Sequence, residues 1–551
     1  MLKNPFDDRQ LAVETSRFPV PRFSKAAAPL AFLLLLTFGF SNYSLAQNEN
    51  APRPVFDESF SHWPVQLKIN GRIIINREMT DVKPVDRMLQ RIAQGKCFVF
   101  STGESKLADR LESLCKEDNF TKSKCEVDEL RSALENGNTV YLDAKCFTSE
   151  QLMKLQDQFQ AFINNGGNLI ADSTVGQTFG AIQSDGEPGL NLFPDCYLDC
   201  SYDGTKKSED KITKRISARD RTVGIGIESQ TMLVLSGRRL LSFGANANTL
   251  AISGNETVAA TFQKIGTRGS QMADLTQWRR MAIDRKLPPF PPAEPRTPFV
   301  ENGSLYIVGG GGMPDGLMWQ MIDEAGGIKK AKCVYIPCSE SDDVGERQRT
   351  VTMWKRMGVK HATLIHTKDR NQANSDDEFL EPLKDATMLW FGGGRQWNFA
   401  DSYYGTEAHK LMKDVLHRGG VIGGSSAGAS IQGRFLARAT PIGNSDILAP
   451  GYERGGLGFL SGVAIDQHFS QSGRQKDMTK LVDKYPQMLG IGIDESTAII
   501  VRKSRAEVVG RGRVFFYDRK QPADNEEQDY TAIAKGGAYD LIERKALETD
   551  E

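Results

Sequence analysis

Histidine is scarce in this chain: there are six in 551 residues, and none between His62 and His361. The body of the first half therefore has no imidazole to act as a general base near neutral pH. An excess of charge of one sign is also lacking. Lys and Arg number 69 against 70 Asp and Glu, so nothing in the balance points to nucleic acid or to an anionic surface. The eight cysteines have no histidines nearby, and their spacing is not a metal pattern. Neither a metal nor an organic cofactor is implied. The apolar run at 26–40, AAAPLAFLLLLTFGF, is 15 residues long, short of the roughly 20 that a membrane-spanning helix needs.

That run instead suits the apolar core of a signal peptide. Lys25 precedes it, and the small residues of Ser44-Leu45-Ala46 offer a cleavage site before Gln47. The expectation is a secreted or periplasmic protein with no membrane attachment after cleavage; an uncleaved anchor is the alternative. Six of the cysteines (Cys97, Cys115, Cys125, Cys146, Cys196, Cys200) lie in the first half, where local pairs could close in an oxidising compartment. Cys333 and Cys338 flank the apolar run CVYIPC and read as buried thiols.

From residue 95 short apolar runs alternate with helical stretches. CFVFST (97–102) and TVYLDA (139–144) read as strands, and 149–167 reads as one helix ended by glycine. Such alternation implies a parallel sheet covered by helices. LPPFPPAEPRTP (287–298) carries six prolines and reads as a stiff linker. A second alternation follows, with SLYIVGGGG (304–312), CVYIPC (333–338) and TMLWFGGG (387–394). The expected organisation is a signal peptide at 1–46, an α/β domain at 47–286, a linker at 287–303 and a second α/β domain at 304–545.

The halves look alike. FINNGGNLIADSTVG (162–176) parallels VLHRGGVIGGSSAGA (415–429), which sets Ser173 opposite Ser426, and VGIGIES (223–229) parallels LGIGIDES (489–496). This suggests an internal duplication. The first copy lacks both glycines around its serine. Its interval between the paired phrases is also shorter, and the missing stretch is the one that holds His468. It reads as a structural copy without catalytic residues.

GGSSAGAS (423–430) places Gly424, Ser426 and Gly428 at the G-x-S-x-G spacing of a nucleophile elbow, in which a serine sits on a strained strand-to-helix turn. Alone, that spacing also fits a Gly/Ser-rich loop or a phosphate cradle. Three stretches join it. AIDQHFSQSGRQ (464–475) puts His468 after an apolar run, with Asp466 and Gln467 before it. LGIGIDESTAIIV (489–501) puts Asp494 and Glu495 at the end of another, and WFGGGRQWNF (390–399) sets three glycines after a strand. The order Ser426, His468, Glu495 differs from the nucleophile, acid, base order of α/β-hydrolases, which disfavours an ordinary esterase or lipase.

GGGRQ, GGSSAGAS, DQHF and GIGIDESTA, in that order, resemble cyanophycinase and its serine peptidase family, which includes the aspartyl dipeptidases. The resemblance covers about 304–520. It implies a flavodoxin-like or class I glutamine amidotransferase-like α/β sandwich, here present twice. By motif, Ser426 would be the nucleophile, His468 the base and Glu495 the residue orienting the histidine. Backbone N–H groups of Ala427 and of the Gly392, Gly393, Gly394 loop would hold the oxyanion. Gln396, Asp466, Gln467 and Arg474 would line the substrate pocket. Two of the family's three spaced arginines are replaced by Ser472 and Asp477, and Arg395 stands where the family has asparagine, so the expected substrates are short or aspartyl-containing peptides rather than cyanophycin. The rival readings are a non-catalytic binding protein on the same fold and an acyl- or amidotransferase using the same serine. A homodimer stays open.

Overall fold

Three successive isoleucines, Ile73 to Ile75, are all fully buried in the first strand, so that strand is covered on both faces. The computed structural model describes residues 63–548 apart from 65, 220, 267–271, 444–445 and 522–527. The proposed signal peptide lies outside them. No helix among the described residues is long and apolar enough to cross a membrane.

The first half supplies β1 (Arg72–Arg77), β2 (Cys97–Phe100), β3 (Phe120–Ser123), β4 (Thr139–Leu142), β5 (Asn168–Asp172), β6 (Gly180–Ile182) and β7 (Phe193–Asp199). It continues with β8 (Val223–Gly226), β9 (Thr231–Ser236), β10 (Arg239–Gly244), β11 (Asn248–Ile252), β12 (Thr261–Ile265) and β13 (Ala273–Asp274). They form an eight-stranded sheet, β3-β2-β4-β5-β1-β9-β10-β13, and a five-stranded sheet, β6-β7-β8-β11-β12.

The second half supplies β14 (Val300–Val308), β15 (Lys332–Ile336), β16 (His361–Leu364), β17 (Met388–Phe391), β18 (Val421–Ser425), β19 (Gly433–Phe435) and β20 (Leu460–Gln467). Then come β21 (Leu489–Ile493), β22 (Thr497–Lys503), β23 (Arg505–Gly510), β24 (Arg513–Tyr517), β25 (Thr531–Ala534), β26 (Ala538–Asp540) and β27 (Lys545–Leu547). Their sheets run β16-β15-β17-β18-β14-β22-β23-β26-β27 and β19-β20-β21-β24-β25. Raising every first-half strand number by thirteen reproduces both orders, with β27 as the addition. A shared order this long, with the same crossovers, is what a duplicated chain retains.

Both sheets of each half are mixed, which differs from a purely parallel expectation. In the second half the strands from β16 to β14 pair in parallel through helical crossovers, while β22 and β23 pair antiparallel. Only Ser504 separates these two, and so short a turn can join antiparallel strands alone. The two sheets close on one apolar core, where Leu305, Ile307, Leu389 and Ile422 of one meet Ile465, Ile491, Ile493 and Val514 of the other. The first half has an equivalent core. The helix expected over 149–167 is two, Ser149–Met153 and Gln156–Asn164. Between them the Leu155 N–H bonds to the Leu152 carbonyl, a tighter turn that leaves Leu152, Leu155 and Phe159 all buried.

Charged groups tie the halves together. Arg238, in the turn between β9 and β10, pairs with Asp274, with Asp401 Oδ2 at 2.5 Å and with the Tyr452 hydroxyl at 2.5 Å. Arg280 reaches the other oxygen of Asp401 at 2.6 Å and stacks on Trp63 and Tyr452. Burial alone would raise the Asp401 carboxyl, but Arg280 and Arg238 hold it below its ordinary value. The proline-rich segment forms no helix or strand and is strapped onto the second half: the Gln487 amide donates to the Pro292 carbonyl, and Phe290 stacks on Phe435.

Asp401→Asn should leave buried Arg280 without the carboxylate it pairs with and Arg238 with Asp274 alone, and stability should fall by about 3–5 kcal/mol. Urea unfolding followed by circular dichroism measures this. A change under roughly 0.5 kcal/mol would mean that Asp274 and the aromatic rings suffice without it.

Candidate active site

Strand β18 ends at Ser425, and the next residue turns the chain sharply. Ser426 has φ 57° and ψ −114°, while its N–H donates to the Val308 carbonyl at 3.1 Å. A non-glycine residue held there stores roughly 1–3 kcal/mol of strain, which persists where the surroundings over-determine it. The flanking glycines allow the turn. A Cβ on Gly424 would lie 2.3 Å from the Gly428 carbonyl oxygen, and one on Gly428 would lie 2.1 Å from that of Phe391. No side chain fits at either position.

The half-buried Ser426 hydroxyl oxygen lies 3.1 Å from His468 Nε2 and 3.5 Å from the Gln467 side-chain oxygen. His468 Nδ1 meets Glu495 Oε1 at 2.5 Å. Such a chain of oxygen, imidazole and carboxylate can pass a proton from hydroxyl to ring while the acid stabilises the charge that forms. The loop after β14 supports both partners. The His468 N–H donates to the Gly309 carbonyl and the Ser496 N–H to that of Gly310, each at 2.8 Å. A Cβ on Gly310 would fall 2.5 Å from His468 Nε2, and one on Gly311 the same distance from Glu495 Oε2. These two glycines are a part of the site that the sequence reading takes only as a strand end.

Ala427 is the first residue of the helix Ala427–Ser430, where an N–H has no intrahelical acceptor. In the GGGRQ loop, Gly393 lies against Ser426: a Cβ there would sit 3.6 Å from the serine Cβ. The Gly392 N–H already donates to the Ile336 carbonyl at 3.0 Å, and Gly394 backs onto Cys338. Of the three glycines, Gly393 is the one that stands beside Ser426.

The expected pocket residues divide. Gln467 touches the serine. Asp466 is fully buried, with Arg438 at 2.8 Å on one oxygen and Arg474 at 3.0 Å on the other. It holds two arginines. Gln396 is also buried, and its amide nitrogen is spent on the carbonyls of Ala437 and Arg438. Arg474 donates to the Gln467 carbonyl at 2.5 Å and so braces the turn that carries His468. Arg438, absent from the sequence reading, also pairs with Asp477, so that acid does not face the site with its charge uncompensated.

The acids near His468 are placed differently from a simple strand alternation. His468 has φ 48° and has left strand geometry, so Asp466, two residues back, does not share its direction. Asp494 is buried and accepts from the Ser470 and Arg513 N–H groups, a structural use of both oxygens.

The first half keeps the frame and loses the contents. Asn76 pairs with Asp172 as Val308 pairs with Ser425, which sets Ser173 opposite Ser426 and Glu78 opposite Gly310. Asp172 is relaxed at φ −69°, and its side chain accepts from the Thr174 N–H at 2.7 Å. By the pairing of β7 with β8 and of β20 with β21, Ser201 stands where His468 does.

Gly310→Ala should therefore stop turnover while leaving the far-ultraviolet circular dichroism unchanged, because the added methyl group displaces the ring. Activity within about tenfold of the parent, or 1.4 kcal/mol of barrier, would show that the ring can move aside. Ser173→Ala, assayed beside it, should have no effect.

Residues 307–509 match the profile of Peptidase family S51. A cyanophycinase of Geminocystis herdmanii (strain PCC 6308) is 29% identical over 220 residues, 40% of this chain and 78% of that protein. A cyanophycinase of Trichormus variabilis (strain ATCC 29413 / PCC 7937) is 26% identical over 232 residues, 41% of this chain and 76% of that one. The crystal structure of a peptidase from an acI-B1 Actinobacterium is 22% identical with a TM-score of 0.33, covering 44% of this chain and 98% of that one. Over 307–509 the C-terminal region of this protein is similar to Peptidase family S51, and that region is of the serine peptidase hydrolase type.

Proposed function

We propose that the protein is an exported peptidase that cleaves short or aspartyl-containing peptides through a Ser426–His468–Glu495 triad. The observation that carries this reading is the contact of the Ser426 oxygen with His468 Nε2 at 3.1 Å, with Nδ1 of the same ring on Glu495 at 2.5 Å. His468 takes the hydroxyl proton as Ser426 Oγ attacks the scissile carbonyl. The oxyanion forms between the N–H groups of Ala427 and Gly393. The imidazolium, paired with Glu495, then gives its proton to the leaving amine. Water attacks the acyl-enzyme by the reverse proton path and frees the serine. Export is supported by the run at 26–40, by Ser44-Leu45-Ala46 and by the Cys125–Cys146 disulfide.

Arg395 supports the acidic preference. It is exposed, two residues from Gly393, and its carbonyl is held by the Asn398 N–H and side-chain amide and by the Cys338 thiol. The pinned backbone fixes where the guanidinium starts, while Arg438 and Arg474 are already committed to Asp466. A substrate carboxylate would therefore find its cation at Arg395.

Ser426→Ala and His468→Ala should each cost roughly 10⁴- to 10⁶-fold in kcat, and the double variant should be little worse, because the two act as one unit. Glu495→Gln should be damaging but milder, and Asp494→Asn should lower stability more than kcat. Steady-state assays with folding checked by circular dichroism decide this; a silent Ser426→Ala ends the reading. On substrates, β-Asp-Arg should be turned over weakly beside a panel of short acidic dipeptides. Arg395→Gln should raise KM for the acidic members about tenfold, the value of roughly 1.4 kcal/mol. An unchanged KM would move the carboxylate contact elsewhere.

A further inference from the structure

Lys368 follows β16 and is buried, an uncommon place for an ammonium group. Its Nζ donates to Asn398 Oδ1 at 3.1 Å and to the Asn398 carbonyl at 3.3 Å. It also lies 5.5 Å from the centre of the Trp397 ring, which Arg238 of the first half approaches to 4.4 Å. Asn398, itself buried, is the second residue of the helix Trp397–Tyr403. Its N–H and its side-chain Nδ2 both donate to the Arg395 carbonyl, at 3.0 and 3.1 Å, and the Cys338 thiol donates to the same oxygen at 2.9 Å. Arg395 is two residues past Gly393, the glycine that stands against Ser426. One buried cation is thus joined through one amide to the loop beside the serine. The backbone that carries the cation is held too. The Lys368 N–H donates to Asp342 Oδ1 at 2.6 Å and the Thr367 N–H to the Tyr403 hydroxyl at 3.3 Å.

We propose that Lys368 is a positioning residue for the oxyanion loop: acting through Asn398, it fixes the Arg395 carbonyl and with it the direction of the Gly393 N–H. That role rests on the triad and oxyanion reading given above. A carboxamide whose oxygen accepts from an ammonium group is polarised, so its N–H groups donate more strongly. Here the acceptor that gains is the Arg395 carbonyl. An N–H that meets charge only in the transition state has to be aimed beforehand, and a misplacement of about 1 Å can cost roughly a hundredfold in rate. The charged and titratable groups around Lys368 come from three elements: Asp401 on the helix, Arg238 in the β9–β10 turn, and Cys338, Glu340 and Asp342 in the stretch after β15. Burial brings its ammonium down to about 8; Arg238 adds to the fall, while Asp401, Cys338 and Glu340 oppose it. Below that pH a cation holds the Asn398 amide. Above it a neutral amine does so more weakly.

The test is the rate at which a fluorophosphonate labels the full chain between about pH 6 and about pH 9, in the parent, Lys368→Met, Asn398→Ala and the double variant. Circular dichroism checks folding. Near neutral pH, Lys368→Met should be labelled roughly thirtyfold more slowly, short of the hundred- to thousandfold lost with an oxyanion donor itself. The parent should slow as pH rises through about 8, and Lys368→Met should not. Asn398→Ala should match it on both counts, so the test survives if Lys368→Met fails to fold. The double variant should be no slower than either, because the two act along one path. Labelling of Lys368→Met within about threefold of the parent would overturn the role. So would a slower variant whose pH profile keeps the parent's shape, or losses that add in the double variant. A parent that takes no label at all would end the triad reading itself, and this role with it.

Discussion

The ring of His468 lies against the backbone of Gly310 with no room for a methyl group between them. Much of the site follows from that closeness. A ring pressed against a backbone is fixed in direction, so its two nitrogens stay aimed at Ser426 and Glu495. The same loop accepts hydrogen bonds from His468 and Ser496, so the backbones that carry His468 and Glu495 are spliced to the end of β14. Ser426 is bound to that strand as well, through Val308. Three residues far apart in sequence are therefore referred to one strand end, and the strain at Ser426, His468 and Ser496, all at positive φ, is held by those bonds.

The duplicated frame makes the role of those glycines visible by contrast. At the place of Gly310 the first half has Glu78, also at positive φ (56°), whose carboxylate accepts from the Ser229 hydroxyl. Its neighbour Arg77 donates to the carbonyls of Tyr202 and Ile227. Side chains fill the corner where the second half leaves backbone bare. Ser173, opposite Ser426, is not at positive φ, and Asp172 beside it caps its own helix, so the first copy has no strained serine turn. What it supplies instead is Arg238, Asp274 and Arg280, whose charges meet Asp401 and Tyr452 of the second half.

Local signals in the sequence carried a definable share of this. The G-x-S-x-G spacing is readable because the steric demand lies within two residues of the serine, and the parallel phrases of the two halves reveal the repeat because the strands keep their order. Arg438 is not readable. Its partners are 28 and 39 residues away, and only the fold brings Asp466 and Asp477 to it. The same distance hides the burial of Asp466, the first residue of the DQHF motif, between Arg438 and Arg474. GGGG at 309–312 announces a turn without saying which ring it will face. Mixed sheets escape a reading based on alternation, since β22 and β23 differ from parallel strands only in how little chain joins them.

The central claim is that the fold makes one serine reactive through one histidine. Treating the full chain with a fluorophosphonate and mapping the adduct by peptide mass tests it most directly, with His468→Ala run alongside. The account predicts one stoichiometric adduct, on Ser426, and its loss in the variant. A folded protein that takes no label, or that labels equally well without His468, would contradict it.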